Sequence, residues 1–122
     1  MEDSAAVVLY WRGITKPRHS HPNAGDVVWI SLNPQERAGH RPAPVLTPAA
    51  YNAKTGLMIC CPMTIRIKGY PFEVLLASQS RSAVLADDMK NLDWRARKAT
   101  RKGKTSDAEL AEVRGKLRAL LG

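Results

Sequence analysis

Residues 25–34, GDVVWISLNP, hold the first well-bounded element of the chain. Gly25 and Asp26 open it, an apolar run from Val27 to Leu32 is broken only by Ser31, and Asn33-Pro34 close it. A short apolar run between turn residues predicts a β-strand. Inside such a strand Trp29 reads as a core side chain. On the C-terminal side, QERAGHR (35–41) crowds Glu36, Arg37, His40 and Arg41 into a loop. Two prolines, Pro42 and Pro44, then stiffen RPAPVLTPAAY (41–51), which predicts a second strand at a sheet edge, where proline is tolerated. NAKTG (52–56) reads as a turn and LMICCPMTI (57–65) as one continuous, central, buried strand. KGYP (68–71) turns the chain into FEVLLAS (72–78), QSRS (79–82) makes a hairpin connection, and AVLADD (83–88) ends the sheet.

The last segment has a different period. In SDAELAEVRGKLRALLG (106–122), Ser106 and Glu109 stand in capping-box register, and Leu110, Val113, Leu117 and Leu120 fall on one helical face. Gly122 suits the helix end, and Gly115 weakens its middle. Several strands followed by one helix predict a small, mostly antiparallel α+β domain. On the N-terminal side, residues 1–24 show no clean period, and TKPRHSHPNAG has linker composition. They read as a flexible extension to a domain spanning 25–122.

The chain has 122 residues, 44% hydrophobic and 25% charged, enough for one globular domain with a modest core. No apolar run approaches the ~20 residues that cross a bilayer, and acids precede AAVVLYW (5–11), so neither a membrane partner nor a secretion signal is expected. Cys60 and Cys61 are adjacent and cannot pair as an ordinary disulfide or hold a metal alone, which fits a reducing cytoplasm. The net charge of +8 is concentrated: residues 89–122 carry ten basic and four acidic groups. A basic surface calls for a polyanionic partner, most often nucleic acid. Phosphate-cradling loops, dinucleotide fingerprints and zinc clusters are absent from the sequence, so no cofactor or metal is expected. His19 and His21 read as solvated. Arg41, Lys68, Arg95 and Arg97, with Trp29, Tyr70 and Trp94, suit a flexible single strand whose phosphates meet cations and whose bases stack on rings; each tryptophan reads alternatively as core, and for Trp29, inside the first strand, core is the favoured reading.

AGHRP (38–42), the YN-x-KTG pattern (51–56), KGYPFEV (68–74) and DWRAR (93–97), in that order from Gly25 onward, resemble the MazF/PemK family of bacterial toxins. The resemblance implies a small SH3-like barrel with helices, acting as a homodimer. It implies a metal-independent endoribonuclease that cuts single-stranded RNA and is restrained by an acidic, MazE-like antitoxin. Arg41 matches the family's catalytic arginine, and Thr64 its catalytic threonine. Glu36 matches an acid in the first loop that can serve as base; Asp87 and His40 are the alternatives, Asp87 also reading as a turn carboxylate and His40 as an RNA contact. Because a guanidinium stays protonated, Arg41 is assigned to charge stabilisation. The loop NPQERAGH (33–40) is shorter than in many members, which bears on Glu36 and on cleavage preference. Two other outcomes fit the same fold: a gyrase poison, which in that class looks to a tryptophan-containing tail where this chain ends ALLG, and a non-catalytic RNA-binding module.

Overall fold

The computed structural model describes residues 21–31, 40–77 and 82–122. Among them are eight strands and two helices: β1 (Asp26–Ser31), β2 (His40–Pro44), α1 (Ala49–Thr55), β3 (Leu57–Cys60), β4 (Met63–Thr64), β5 (Glu73–Leu76), β6 (Ser82–Leu85), β7 (Lys90–Asp93), β8 (Thr100–Lys104) and α2 (Asp107–Leu121). The strands form antiparallel sheets ordered β2-β1-β8, β3-β7 and β4-β6-β5. Proline-bearing β2 is an edge strand, as its composition predicts.

Two apolar clusters hold the sheets together. Val28, Ile30, Ala43, Val45, Met58, Cys60, Trp94 and Ala99 form one, and Val27, Leu46, Cys61, Met63, Val74, Leu76 and Val84 form the other, beneath Val113 and Leu117 of α2. Successive residues of β1, Val27 and Val28, therefore feed different clusters, as alternating side chains of a strand must. The adjacent cysteines divide in the same way. Ser106 caps α2 through a capping box with Glu109, and the Gly122 N–H closes its end on the Arg118 carbonyl.

Four sequence expectations change. LMICCPMTI is not one strand: Pro62, which has no N–H for a ladder, separates β3 from β4, and the two join different sheets. NAKTG is not a simple turn but the latter half of α1. Asn52 is fully buried there, its amide donating to the carbonyls of Pro22 and Thr47 while its Oδ1 accepts from the Thr47 hydroxyl. Gly56 then ends α1 with φ of 75°, a left-handed value that costs glycine little. The sheet does not end at AVLADD, because the polar segments KNLD and TRKGK become β7 and β8 by pairing with β3 and β1. Finally, residues 21–24 pack on the domain instead of lying outside it. The Asn23 side chain accepts from the Ala49 N–H at 2.8 Å, satisfying the start of α1, and the His21 ring meets Trp94 edge-on at 5.7 Å.

Candidate active site

Thr64 ends β4, paired opposite Ala83 of β6, so the central sheet fixes its backbone. Its hydroxyl accepts from the Arg66 N–H at 3.0 Å, leaving its own hydrogen free to donate outward. Arg41 comes from the opposite side. It pairs with Ile30 across the β1–β2 ladder, and its Nη1 reaches the Met63 carbonyl at 3.5 Å, the limit of hydrogen bonding. Among the described residues its guanidinium has no other partner. Arg41, Pro42, Met63, Thr64, Arg66 and Ser82 line one cleft of about 250 Å³. A second cleft, about 310 Å³, lies on the other side of Thr64 and is lined by Arg66, Lys68, Tyr70, Glu73 and Asp87.

The second cleft owes its shape to Glu73. Its carboxylate accepts from the Lys68 N–H at 3.1 and 3.2 Å and from the Gly69 N–H at 2.8 Å, folding residues 65–70 back on β5. Gly69, at φ of 77°, permits that turn. Lys68 Nζ lies 5.6 Å from the centre of the exposed Tyr70 ring.

The remaining candidates lie elsewhere. His40 opens β2 opposite Ser31 and is exposed, but it lines neither cleft. Arg97 clips the same strand end: its Nη1 donates to the Ser31 carbonyl at 3.2 Å, and its own carbonyl accepts from the Ser31 N–H at 3.0 Å. This makes it a tether for β1 where the first loop begins. Arg95 is exposed above Trp94, 5.0 Å from the ring centre. Trp94 itself is fully buried, its indole N–H donating to the Asn52 carbonyl at 2.9 Å, so it offers no ring for base stacking. The expectation for Trp29 reverses in the opposite sense: it is 37% exposed, with Lys102 Nζ 5.3 Å from its ring centre. Glu36 lies outside the described residues.

Arg66 and Ser82 were not singled out from the sequence. Arg66 was legible, two residues past Thr64 along an extended segment, whereas Ser82 enters only through the β4–β6–β5 pairing, which no local pattern announces. Burial pushes the Cys60 and Cys61 thiols up to about 12, so neither is a nucleophile at neutral pH.

Residues 23–121 match the family of PemK-like, MazF-like toxins of type II toxin–antitoxin systems. The chain belongs to this family. The endoribonuclease toxin MazF of Escherichia coli K12 is 49% identical to it over 105 residues, 83% of this chain and 95% of the relative. The endoribonuclease PemK of Escherichia coli is 28% identical over 113 residues, 85% of each chain. In a crystal structure of MazE–MazF from Deinococcus radiodurans, a chain 51% identical superposes with a TM-score of 0.76, covering 84% of this toxin and 96% of that chain. A mycobacterial endoribonuclease bound to its cognate antitoxin, 20% identical with a TM-score of 0.71, shares the fold. This PemK/MazF-like toxin thus carries its two family-matched residues, Arg41 and Thr64, on separate strands that meet at one cleft.

Proposed function

We propose that this toxin is an endoribonuclease that cleaves single-stranded RNA without a metal, and that Arg41 and Thr64 hold the scissile phosphate. The convergence of an under-satisfied guanidinium and an outward-donating hydroxyl on one cleft carries this reading. In the reaction, the 2′-oxygen of the substrate attacks the adjacent phosphorus, and the bond from phosphorus to the 5′-oxygen breaks. The 2′ proton passes to a base, the departing 5′-oxygen gains a proton, and the products are a 2′,3′-cyclic phosphate and a 5′-hydroxyl. The planar donors of Arg41 suit the equatorial oxygens of the phosphorane, where charge builds most. Glu36 is the proposed base, on its family match. Lys68 and Tyr70 flank the second cleft, where a neighbouring nucleotide would lie. His40, Arg95 and Arg97 are proposed RNA contacts, although the grip of Arg97 on Ser31 gives it a structural task first.

The finer architecture belongs to the same proposal. The Val45–Cys60 bridge and the Cys61 N–H on the Pro44 carbonyl join the β2-β1-β8 sheet to the β3-β7 sheet, and the chain passes from β3 into β4 through Cys61 and Pro62, supporting an SH3-like barrel. The working form is a cytoplasmic homodimer restrained by an acidic antitoxin.

The test is cleavage of a single-stranded RNA in excess chelator by the parent chain and by Arg41→Ala. Cleavage by the parent, with cyclic-phosphate ends by mass spectrometry, and a loss of roughly 10²–10³-fold in the variant are expected, the usual effect of removing one charge-stabilising donor. A 3′-hydroxyl at the cut, or full activity in the folded variant, would overturn the mechanism.

A further inference from the structure

Trp29 sits mid-strand in β1 between Val28 and Ile30, both fully buried, yet keeps 37% of its surface exposed. It shares a face with Val27, whose cluster includes Met63, Val113 and Leu117, but it is not itself part of that cluster. The exposed third of the indole gains nothing from burial within the chain, so a ligand that covered it would add to the packing the ring already has. Two neighbours bear on what such a ligand is.

The first is Lys102. In the β1–β8 ladder, Val27 faces Gly103 and Val28 faces Arg101, which leaves Lys102 as the extra residue of a bulge. A bulge re-aims a side chain, and this one brings the lysine ammonium to 5.3 Å from the indole centre. The second is Pro42, which stands opposite Trp29 in the β1–β2 register and also lines the Arg41–Thr64 cleft. Strands lie ~4.8 Å apart, so the Trp29 backbone is one strand spacing from that of Pro42, part of the cleft wall. A chain seated on Arg41 and Thr64 and crossing edge strand β2 meets Pro42 and then Trp29. An exposed ring beside a cation is how sheet surfaces hold single-stranded nucleic acid: the base stacks on the ring and the phosphate meets the charge.

We propose that Trp29 and Lys102 form a nucleotide subsite on the outer face of β1 and β8, stacking the base of a nucleotide that flanks the scissile position. The proposal rests on the endoribonuclease reading and extends the RNA footprint across β2 to the outer face of β1. Stacking tolerates any base, so the subsite supplies affinity without adding a letter to the recognised sequence.

The experiment compares the parent chain with Trp29→Ala, Trp29→Phe and Lys102→Gln, each checked for an unchanged circular-dichroism spectrum and oligomeric state. Two substrate series are shortened one nucleotide at a time from either end of the cut. On long RNA, Trp29→Ala should raise KM roughly tenfold with kcat little changed, Trp29→Phe should fall between, and Lys102→Gln should weaken the salt dependence. In one series the difference between parent and Trp29→Ala should vanish at a defined length. Indole emission should be quenched by an RNA carrying 2′-deoxy at the scissile nucleotide, and Trp29→Phe should remove the quenching. Equal KM for all variants at every length, or a Trp29→Ala defect explained by dimer dissociation or confined to binding an acidic peptide, would overturn the subsite. Failure of the parent chain to cut any RNA would instead sink the endoribonuclease reading, and the quenching titration would still decide the subsite.

Discussion

As the proposed phosphate-binding groups, Arg41 and Thr64 would divide their work by chemistry as well as by position. Arginine offers a rigid fork of donors, which a lysine at the same place does not reproduce. Arg41→Lys should therefore recover only part of the activity that Arg41→Ala removes, although it keeps the charge; full recovery, read as kcat on one substrate, would mean that charge alone suffices. The two cysteines make the contrasting case of groups kept out of chemistry. Folding raises both thiols from 9.0 to about 12, chiefly by burial, so the folded chain disfavours the thiolate. The stability this represents is complete below about 9.0, where the thiols of the unfolded chain are also neutral, and is lost as pH climbs through about 12. Native protein at pH 8 should resist alkylation until denaturant is added, and its melting temperature should fall more steeply above pH 9 than that of Cys60→Ala/Cys61→Ala. Rapid labelling of the native state would contradict the burial argument.

Among the elements, the segment 65–70 depends most on a single side chain. Glu73 accepts three hydrogen bonds from its backbone and so fixes Lys68 and Tyr70 beside Thr64. Glu73→Ala should leave melting within a few degrees but raise KM several-fold, and Glu73→Gln, which keeps an acceptor oxygen, should restore part of the loss; if KM stays unchanged, the segment does not touch substrate. Elements with strong local signals were legible in the sequence: the bounded run of β1, the prolines of edge strand β2, and the capping box and apolar face of α2. Those that exist through tertiary pairing were not. KNLD and TRKGK have no apolar stripe and become strands only because β3 and β1 present open edges. Arg41 and Thr64 were legible as family-matched residues, but which tryptophan faces solvent was not. Trp29 hid inside an apolar run that gives no hint of its outward face. Trp94 hid among charges while its indole reached the buried Asn52 carbonyl, a partner set by α1.

The whole chain carries +8, and the two clefts gather Arg41, Arg66 and Lys68 around Thr64. A surface built for phosphates also suits carboxylates, so RNA and an acidic antitoxin tail should compete for it. Trp94, which the sequence offered as a stacking ring, is buried; the exposed Ile65, Ile67 and Tyr70 beside the clefts can anchor an apolar part of such a tail. Both ligands should weaken as salt rises. For RNA, removing one phosphate-binding cation should flatten the slope of log affinity against log salt by about 0.7, so Lys68→Gln should show one such step. Ordering a disordered tail opposes binding, and tight inhibition therefore needs a long footprint over the toxin. A competition titration with 2′-deoxy-blocked RNA and an acidic antitoxin peptide tests the shared surface directly. Mutual exclusion, with the peptide's apparent affinity falling in proportion to RNA occupancy, is expected. Simultaneous binding with both affinities intact would place the antitoxin on another face, and inhibition would then have to act through the conformation of the clefts and not through their occupation.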